Sequence, residues 1–331
     1  MKCWKGKKRL SNDAPISLNR MNSEPQIVKT TDEIAKEMLL YAKVTRISYL
    51  EPEKVKELFA WKEEIHTEEG GQMELDIVGI PSSFFKSKLK FFDANIKNIS
   101  DAQVYSFVNK EEELVITIRG TSSIADMKAD LKIKKKPFFD IIYNQYFGLD
   151  RKHIPFVHDG FLNQYNSLRF HLHYIFSRYQ KKLPIGKIPR VIFASHSLGA
   201  AVSTLSALVM KSLFPHYDIW NYTYGSPRVG DPFFAYVYDQ ILGKTTYRIK
   251  NQLDPIAYIP HWNYEHVGRK VSFKDRMEIL PLLCSKKRKR NWIGKCVHCV
   301  GNYGNLFSKR KKAHTLEEYI FFLESYIPCT N

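Results

Sequence analysis

Val191-Ile192-Phe193-Ala194-Ser195-His196-Ser197-Leu198-Gly199-Ala200-Ala201 is the stretch that decides how this chain is read. Apolar and β-branched residues run into Ser-His-Ser-Leu-Gly, and a small-residue, helix-compatible run follows from Ala200 to Met210. The pattern reads as strand, sharp turn and helix. A serine at such a turn stands above the end of a sheet, where a substrate carbonyl can reach it. Small residues on either side let the strand and helix backbones approach closely. The usual spacing is Gly-x-Ser-x-Gly. Here Ser195 stands at the first glycine position, and serine is still small. The motif is short, and an ordinary strand-to-helix connection could carry the same letters.

Strands and helices alternate around it. Val104–Val108 and Leu114–Ile118 read as strands, and Asn109-Lys110-Glu111 between them makes a hairpin. A long helix is predicted from about Phe161 to Lys182, and another from the turn to about Leu213. A strand at Trp220–Tyr224, a helix at Phe233–Leu242, a strand at Tyr247–Lys250 and a last helix at about Leu316–Tyr326 follow. Upstream, Thr30 or Thr31 looks like an N-cap, with Ile34, Met38, Leu39, Tyr41, Ala42 and Val44 at helical spacing. A further helix is predicted after Pro52 to about Ile65, and residues 80–100 read as loop. The alternation argues for an α/β class with a mainly parallel sheet.

With 331 residues, 44% of them hydrophobic, the chain can build one large α/β domain with appendages. Residues 1–30 read as a basic, flexible tail, 31–331 as the domain, and about 285–312 as a basic insertion. No run of 18 or more apolar residues suggests a membrane span. The basic start leads into Ser11-Asn12-Asp13 rather than an apolar segment, so no secretory signal is read. The cysteines (Cys3, Cys284, Cys296, Cys299, Cys329) are few and odd in number. Together these favour reduced thiols and an intracellular setting, peripheral at membranes. Cys296-Val297-His298-Cys299 is a single Cys-x-x-Cys with irregularly spaced neighbours, so no zinc site is expected.

The net charge of +17 implies attraction to a polyanion, either nucleic acid or an anionic lipid surface. Much of it clusters at 132–136, 286–290 and 309–312. No aromatic-interleaved RNA motif accompanies these clusters, so nucleic acid is not the expected partner.

Four stretches together resemble the fungal-type (class 3) lipases of the α/β-hydrolase superfamily. They are Ile118-Arg119-Gly120-Thr121-Ser122-Ser123, Val157-His158-Asp159-Gly160-Phe161, the Ser197 turn, and Tyr222-Thr223-Tyr224-Gly225-Ser226-Pro227-Arg228-Val229-Gly230-Asp231. A fifth, Asp254-Pro255-Ile256, lies where that family carries its catalytic acid. The resemblance covers roughly residues 34–327 and implies an α/β-hydrolase fold, a serine ester hydrolase and an acyl lipid substrate. It implies no metal or cofactor. The alternatives are a lipase-like scaffold without turnover, or a phospholipase acting on anionic membranes.

A serine hydroxyl attacks only when a base takes its proton, and that base needs a carboxylate to orient it. The resemblance makes Ser197 the nucleophile and Asp254 the acid, with Asp231 and Asp218 as rivals. His261, His266, His298 and His314 all follow Asp254. The family's base sits just before the last helix, which selects His314, with His266 next. His196 is expected to hydrogen-bond beneath the turn. Leu198 N–H and Thr121 are the implied oxyanion donors, although Thr121 also suits a helix N-cap. Ile124, Met127 and Leu131 share one helical face. That face is either the family's mobile lid, at 123–131, or a fixed surface helix.

Overall fold

The computed structural model describes residues 31–50, 55, 103–120, 134–139, 154–181, 183, 186–273, 277–279 and 312–327. Several expectations lie outside the described residues: the tail, the helix after Pro52 except Val55, the loop at 80–100, Thr121, the candidate lid, nearly all of the basic insertion, and every cysteine.

Helix α1 (Thr31–Thr45) is followed by a 3-10 turn at Arg46–Tyr49. Strands β1 (Val104–Val108) and β2 (Leu114–Ile118) form the antiparallel hairpin. Strands β3 (Lys135–Pro137) and β4 (Phe156–His158) pair as a small sheet of their own. Helix α2 (Asp159–Gln180) leads to β5 (Arg190–His196), then α3 (Leu198–Leu213), β6 (Asp218–Tyr224), α4 (Pro232–Ile241) and β7 (Thr246–Asn251). Strands β8 (Arg269–Phe273) and β9 (Met277–Ile279) and helix α5 (Leu316–Tyr326) complete it. The main sheet runs β1-β2-β5-β6-β7-β8-β9. Strands β2, β5, β6, β7 and β8 are parallel, and antiparallel β1 and β9 sit at the two edges.

The alternation along each strand sorts the core into two layers. Val191 and Phe193 of β5 face the layer holding α2, α3 and α4, with Phe161, Leu172, Phe176, Leu205 and Phe234. Ile192 and Ala194 face α1 and α5, with Met38, Tyr41, Tyr319 and Leu323. Strands covered on both faces carry continuous apolar runs, as in the fully buried Leu-Val-Ile-Thr-Ile of β2. Helix α3 lies almost wholly inside. Its polar groups survive there because Ser203 and Thr204 donate to Ala200 O, and Ser206 to Val202 O.

Helix α5 docks on α1 through Leu316, Tyr319, Ile320 and Leu323. Each such apolar side chain contributes about 1.5–3 kcal/mol on full burial. The flanking ion pairs Arg46–Glu317 and Lys43–Glu324 are partly exposed. Such pairs add about 0–1 kcal/mol each, so the apolar face holds the helix.

The strands β3, β4, β8 and β9 have no counterpart in the sequence reading. They are short or carry charge: Lys135-Lys136-Pro137 has no apolar alternation, and Arg269-Lys270 opens β8. Helix α2 starts at Asp159, slightly earlier than expected, because His158 Nδ1 accepts the Gly160 N–H and caps it.

Candidate active site

Ser197 sits at the turn from β5 into α3 with φ 60° and ψ −128°. A non-glycine residue in such a conformation costs about 1–3 kcal/mol and persists only where its surroundings fix it. Three contacts do so here. Ser197 N–H donates to Tyr224 O at 2.9 Å. A Cβ at Gly199 would lie 2.1 Å from Ile118 O, so only glycine lets α3 approach β2 this closely. Ile118 N–H donates to Ser195 Oγ at 3.0 Å. The β2–β5 ladder ends at Ile116–Phe193, and this side-chain bond ties the two strands beyond it. Ser195 therefore does something the missing glycine could not.

Asp254 follows the C-terminal end of β7. Asn251 Oδ1 accepts the Leu253 N–H at 3.0 Å, and Asp254 Oδ1 accepts the Ile256 N–H at 2.8 Å, which together set the turn. Asp254 Oδ2 receives two donors, His314 Nδ1 at 2.8 Å and Tyr319 OH at 2.6 Å. The carboxylate is 0% exposed and His314 is 4% exposed. His314 Nε2 lies 2.8 Å from Ser197 Oγ. Serine, histidine and aspartate thus form one continuous hydrogen-bonded relay. Gly225, at φ +59°, lies directly against it: a Cβ there would be 2.8 Å from Asp254 Oδ2 and 3.2 Å from His314 Nδ1.

The backbone carrying His314 is pinned from two sides. Asn251 Nδ2 donates to Ala313 O at 3.2 Å. His196 Nε2 donates to His314 O at 2.7 Å, and a carbonyl only accepts, which fixes the His196 tautomer. His196 Nδ1 then accepts from Tyr49 OH at 2.7 Å. Burial, and after it the neighbouring His314, hold the His196 pKa well below the usual histidine value. A neutral ring therefore stands beside the His314 ring at a 4.8 Å centroid separation.

The rivals are employed elsewhere. Asp231 caps α4 by accepting the Phe234 N–H at 2.8 Å. Asp218 opens β6 at the opposite end of the sheet and accepts from Trp220 Nε1 at 2.9 Å. His266 Nε2 donates to Ala257 O at 2.8 Å; burial and then Arg248 push its pKa well below the ordinary range. His261 lies at the surface beside Arg228; partial burial of its ring, and after it the Arg228 charge, lower its pKa. His298 and Thr121 lie outside the described residues. Leu198 is the first residue of α3, a position whose N–H has no intrahelical acceptor.

Tyr319 is the functional candidate that sequence reasoning missed. It occupies a core-facing position of an amphipathic helix, where a tyrosine reads as core. Its hydroxyl donates to Asp254 and accepts the Asn251 N–H at 3.1 Å. Burial, and after it the Asp254 charge, push its pKa well above the tyrosine norm, so the hydroxyl keeps its proton.

Residues 115–264 match the family described as lipase (class 3). Among curated proteins, the chain is 30% identical over 163 residues to secreted mono- and diacylglycerol lipase 1 of Fusarium solani. It is 27% identical over 171 residues to phospholipase A1-II 1 of Oryza sativa subsp. indica. Each match covers 48% of this chain, but only 44% and 42% of those relatives' own length. Among solved structures, lipase II from Rhizopus niveus superposes with a TM-score of 0.57 at 18% identity, covering 75% of this chain and 83% of that one. No described helix is long and apolar enough to cross a membrane. The Fusarium relative is named as a secreted protein, which stands against the intracellular setting expected from the sequence. The sheet order, the helices on both faces and the turn at Ser197 are those of an α/β-hydrolase fold. From β2 through the acid loop, residues 115–264 of a chain with that fold are similar to the class 3 lipase family.

Proposed function

We propose that this chain is a carboxylic ester hydrolase cleaving acyl esters of lipids through a Ser197–His314–Asp254 triad. The observation that carries this is the buried relay, with 2.8 Å at both of its contacts. Ser197 Oγ attacks the ester carbonyl carbon as its proton passes to His314 Nε2. The imidazolium that forms is stabilised by the Asp254 carboxylate on its other nitrogen, and the neutral His196 beside it adds no repulsion. The tetrahedral oxyanion is met by Leu198 N–H, with Thr121 as the family-matched second donor. One such donor is worth about 3–4 kcal/mol in the transition state. Collapse returns the proton from His314 to the leaving alcohol and leaves an acyl ester on Ser197. Water, deprotonated by the same histidine, then releases the fatty acid.

Residues 31–331 act in this reading as one catalytic unit with a basic tail before it. The excess of positive charge supports work at anionic membranes, where each Lys or Arg near the surface contributes about 1 kcal/mol. A fluorophosphonate probe should label wild-type protein on Ser197. A panel of mono-, di- and triacylglycerols and a phospholipid then assigns the lipid class. Neither labelling nor hydrolysis would leave the scaffold without turnover.

Tyr319 acts in this scheme as a positioning residue. A hydrogen bond to a charged group is worth about 1.5–3 kcal/mol. Tyr319→Phe should lower kcat about tenfold and leave KM unchanged, since the hydroxyl touches Asp254 and not the substrate. Steady-state kinetics on a soluble ester read the split. An unchanged kcat would remove Tyr319 from the mechanism.

A further inference from the structure

The loop that carries Asp254 continues into the largest exposed apolar side chain among the described residues. Trp262 is 82% exposed, and Leu253 and Tyr258 on the same loop are 63% and 37% exposed. Apolar side chains grouped in one exposed patch mark an interaction site.

The loop is not a loose arm. Arg228 Nη1 donates to Tyr258 O, and to Pro260 O at 2.7 Å. Arg228 N–H donates to Ile259 O at 2.8 Å, and Tyr258 OH to Gln252 O at 2.9 Å. Lys135 Nζ donates to Asn263 O at 2.5 Å, immediately after Trp262. Glu265 N–H donates to Gly230 O at 2.9 Å. These bonds fix the backbone on both sides of Trp262.

The rim of this loop is cationic. Lys134 is exposed, Lys135 is half-buried over the Tyr264 ring, and Arg228 reaches in from the segment that runs beneath the relay. Three acidic residues share this rim: exposed Glu265, Asp231 whose charge acts on Lys135, and Asp159 paired with Lys136. An indole has an apolar body and one N–H donor, which suits it to the boundary between headgroups and acyl chains. Cations around it match phosphate-bearing headgroups. Asp254 and Trp262 are eight residues apart on one pinned loop.

We propose that the 253–262 loop is a fixed anchor for an anionic lipid bilayer, with Trp262 inserted at the headgroup boundary and Leu253 and Tyr258 beside it. Arg228 and Lys135 hold it in place. The proposal rests on the reading of this chain as a lipid ester hydrolase, because that reading supplies the reason to dock beside the relay.

The test compares wild type, Trp262→Ser and Trp262→Phe on vesicles of phosphatidylcholine, with and without phosphatidylglycerol. Co-sedimentation, tryptophan quenching by brominated acyl chains, and hydrolysis of a soluble short-chain ester are measured in parallel. Trp262→Ser should lose about tenfold in affinity for the anionic vesicles, a step of about 1.4 kcal/mol. Trp262→Phe should keep most of that affinity while losing the quenched signal. Both variants should hydrolyse the soluble ester like wild type. Equal binding of Trp262→Ser and wild type would overturn the anchor. So would a wild-type dimer that Trp262→Ser dissolves while vesicle binding stays the same. Wild type that binds vesicles through Trp262 but leaves every ester intact would overturn the hydrolase reading instead.

Discussion

Ser197→Ala is expected to remove ester hydrolysis almost completely, by about a million-fold in kcat. The alanine has no oxygen to attack with, and His314 Nε2 loses the hydroxyl 2.8 Å away. What remains should be the small acceleration that oxyanion donors and substrate binding give without a nucleophile. The fold should persist. One hydroxyl disappears and no cavity opens. The turn is fixed through the Ser197 N–H, the Ser195 hydroxyl and the glycine at 199, all of which survive the change. Thermal unfolding should move by less than about 3 °C, the shift that roughly 1 kcal/mol produces in a domain of this class. Purified Ser197→Ala with wild-type turnover would mean that the nucleophile is elsewhere.

His314→Ala should be as damaging, again about a million-fold, because triad members act as a unit and their losses do not add. It also leaves the Asp254 carboxylate buried with fewer donors, Tyr319 OH and the Ile256 N–H among them. A lost partner for a buried charged group costs about 1–3 kcal/mol or more, so a drop in stability should accompany the drop in rate. His266→Ala supplies the contrast. That ring is half-buried and donates to Ala257 O, so its loss should destabilise the protein. Turnover per folded molecule should fall only severalfold. Circular dichroism and thermal unfolding of each purified variant correct its rate for folded fraction. If His266→Ala proved the more damaging of the two after that correction, the base would have to be reassigned.

How much of this was legible in the sequence depended on how local each cause is. Elements written in consecutive letters were readable: the hairpin β1–β2, the turn at Ser197, and the last helix α5. The family resemblance pointed to Asp254 and His314, which the fold brings together across 60 residues. What stayed hidden was set by distant partners. Ser195 looked like a defect in a motif, and only its bond from Ile118, 77 residues away, explains it. Tyr49 carries no local mark of its 2.7 Å contact with His196, since 147 residues separate them. Tyr319 was legible as core and illegible as a donor. Strands such as β3 and β9 are three residues long, shorter than any alternation can register.

The docking of α5 on α1 bears on how activity is lost under stress. His314 precedes a helix that reaches the sheet near the described end of the chain, whereas Ser197 stands at its centre. Proteins open in local cooperative units with free energies well below that of global unfolding. If α5 lifts as such a unit, the base, the Tyr319 donor and the clamp on Ala313 leave together while β5 and α3 remain folded. Catalysis would then fade at a lower denaturant concentration than the sheet's own signal. Loss of the proposed hydrolysis would report the undocking of one helix before any probe of the core did.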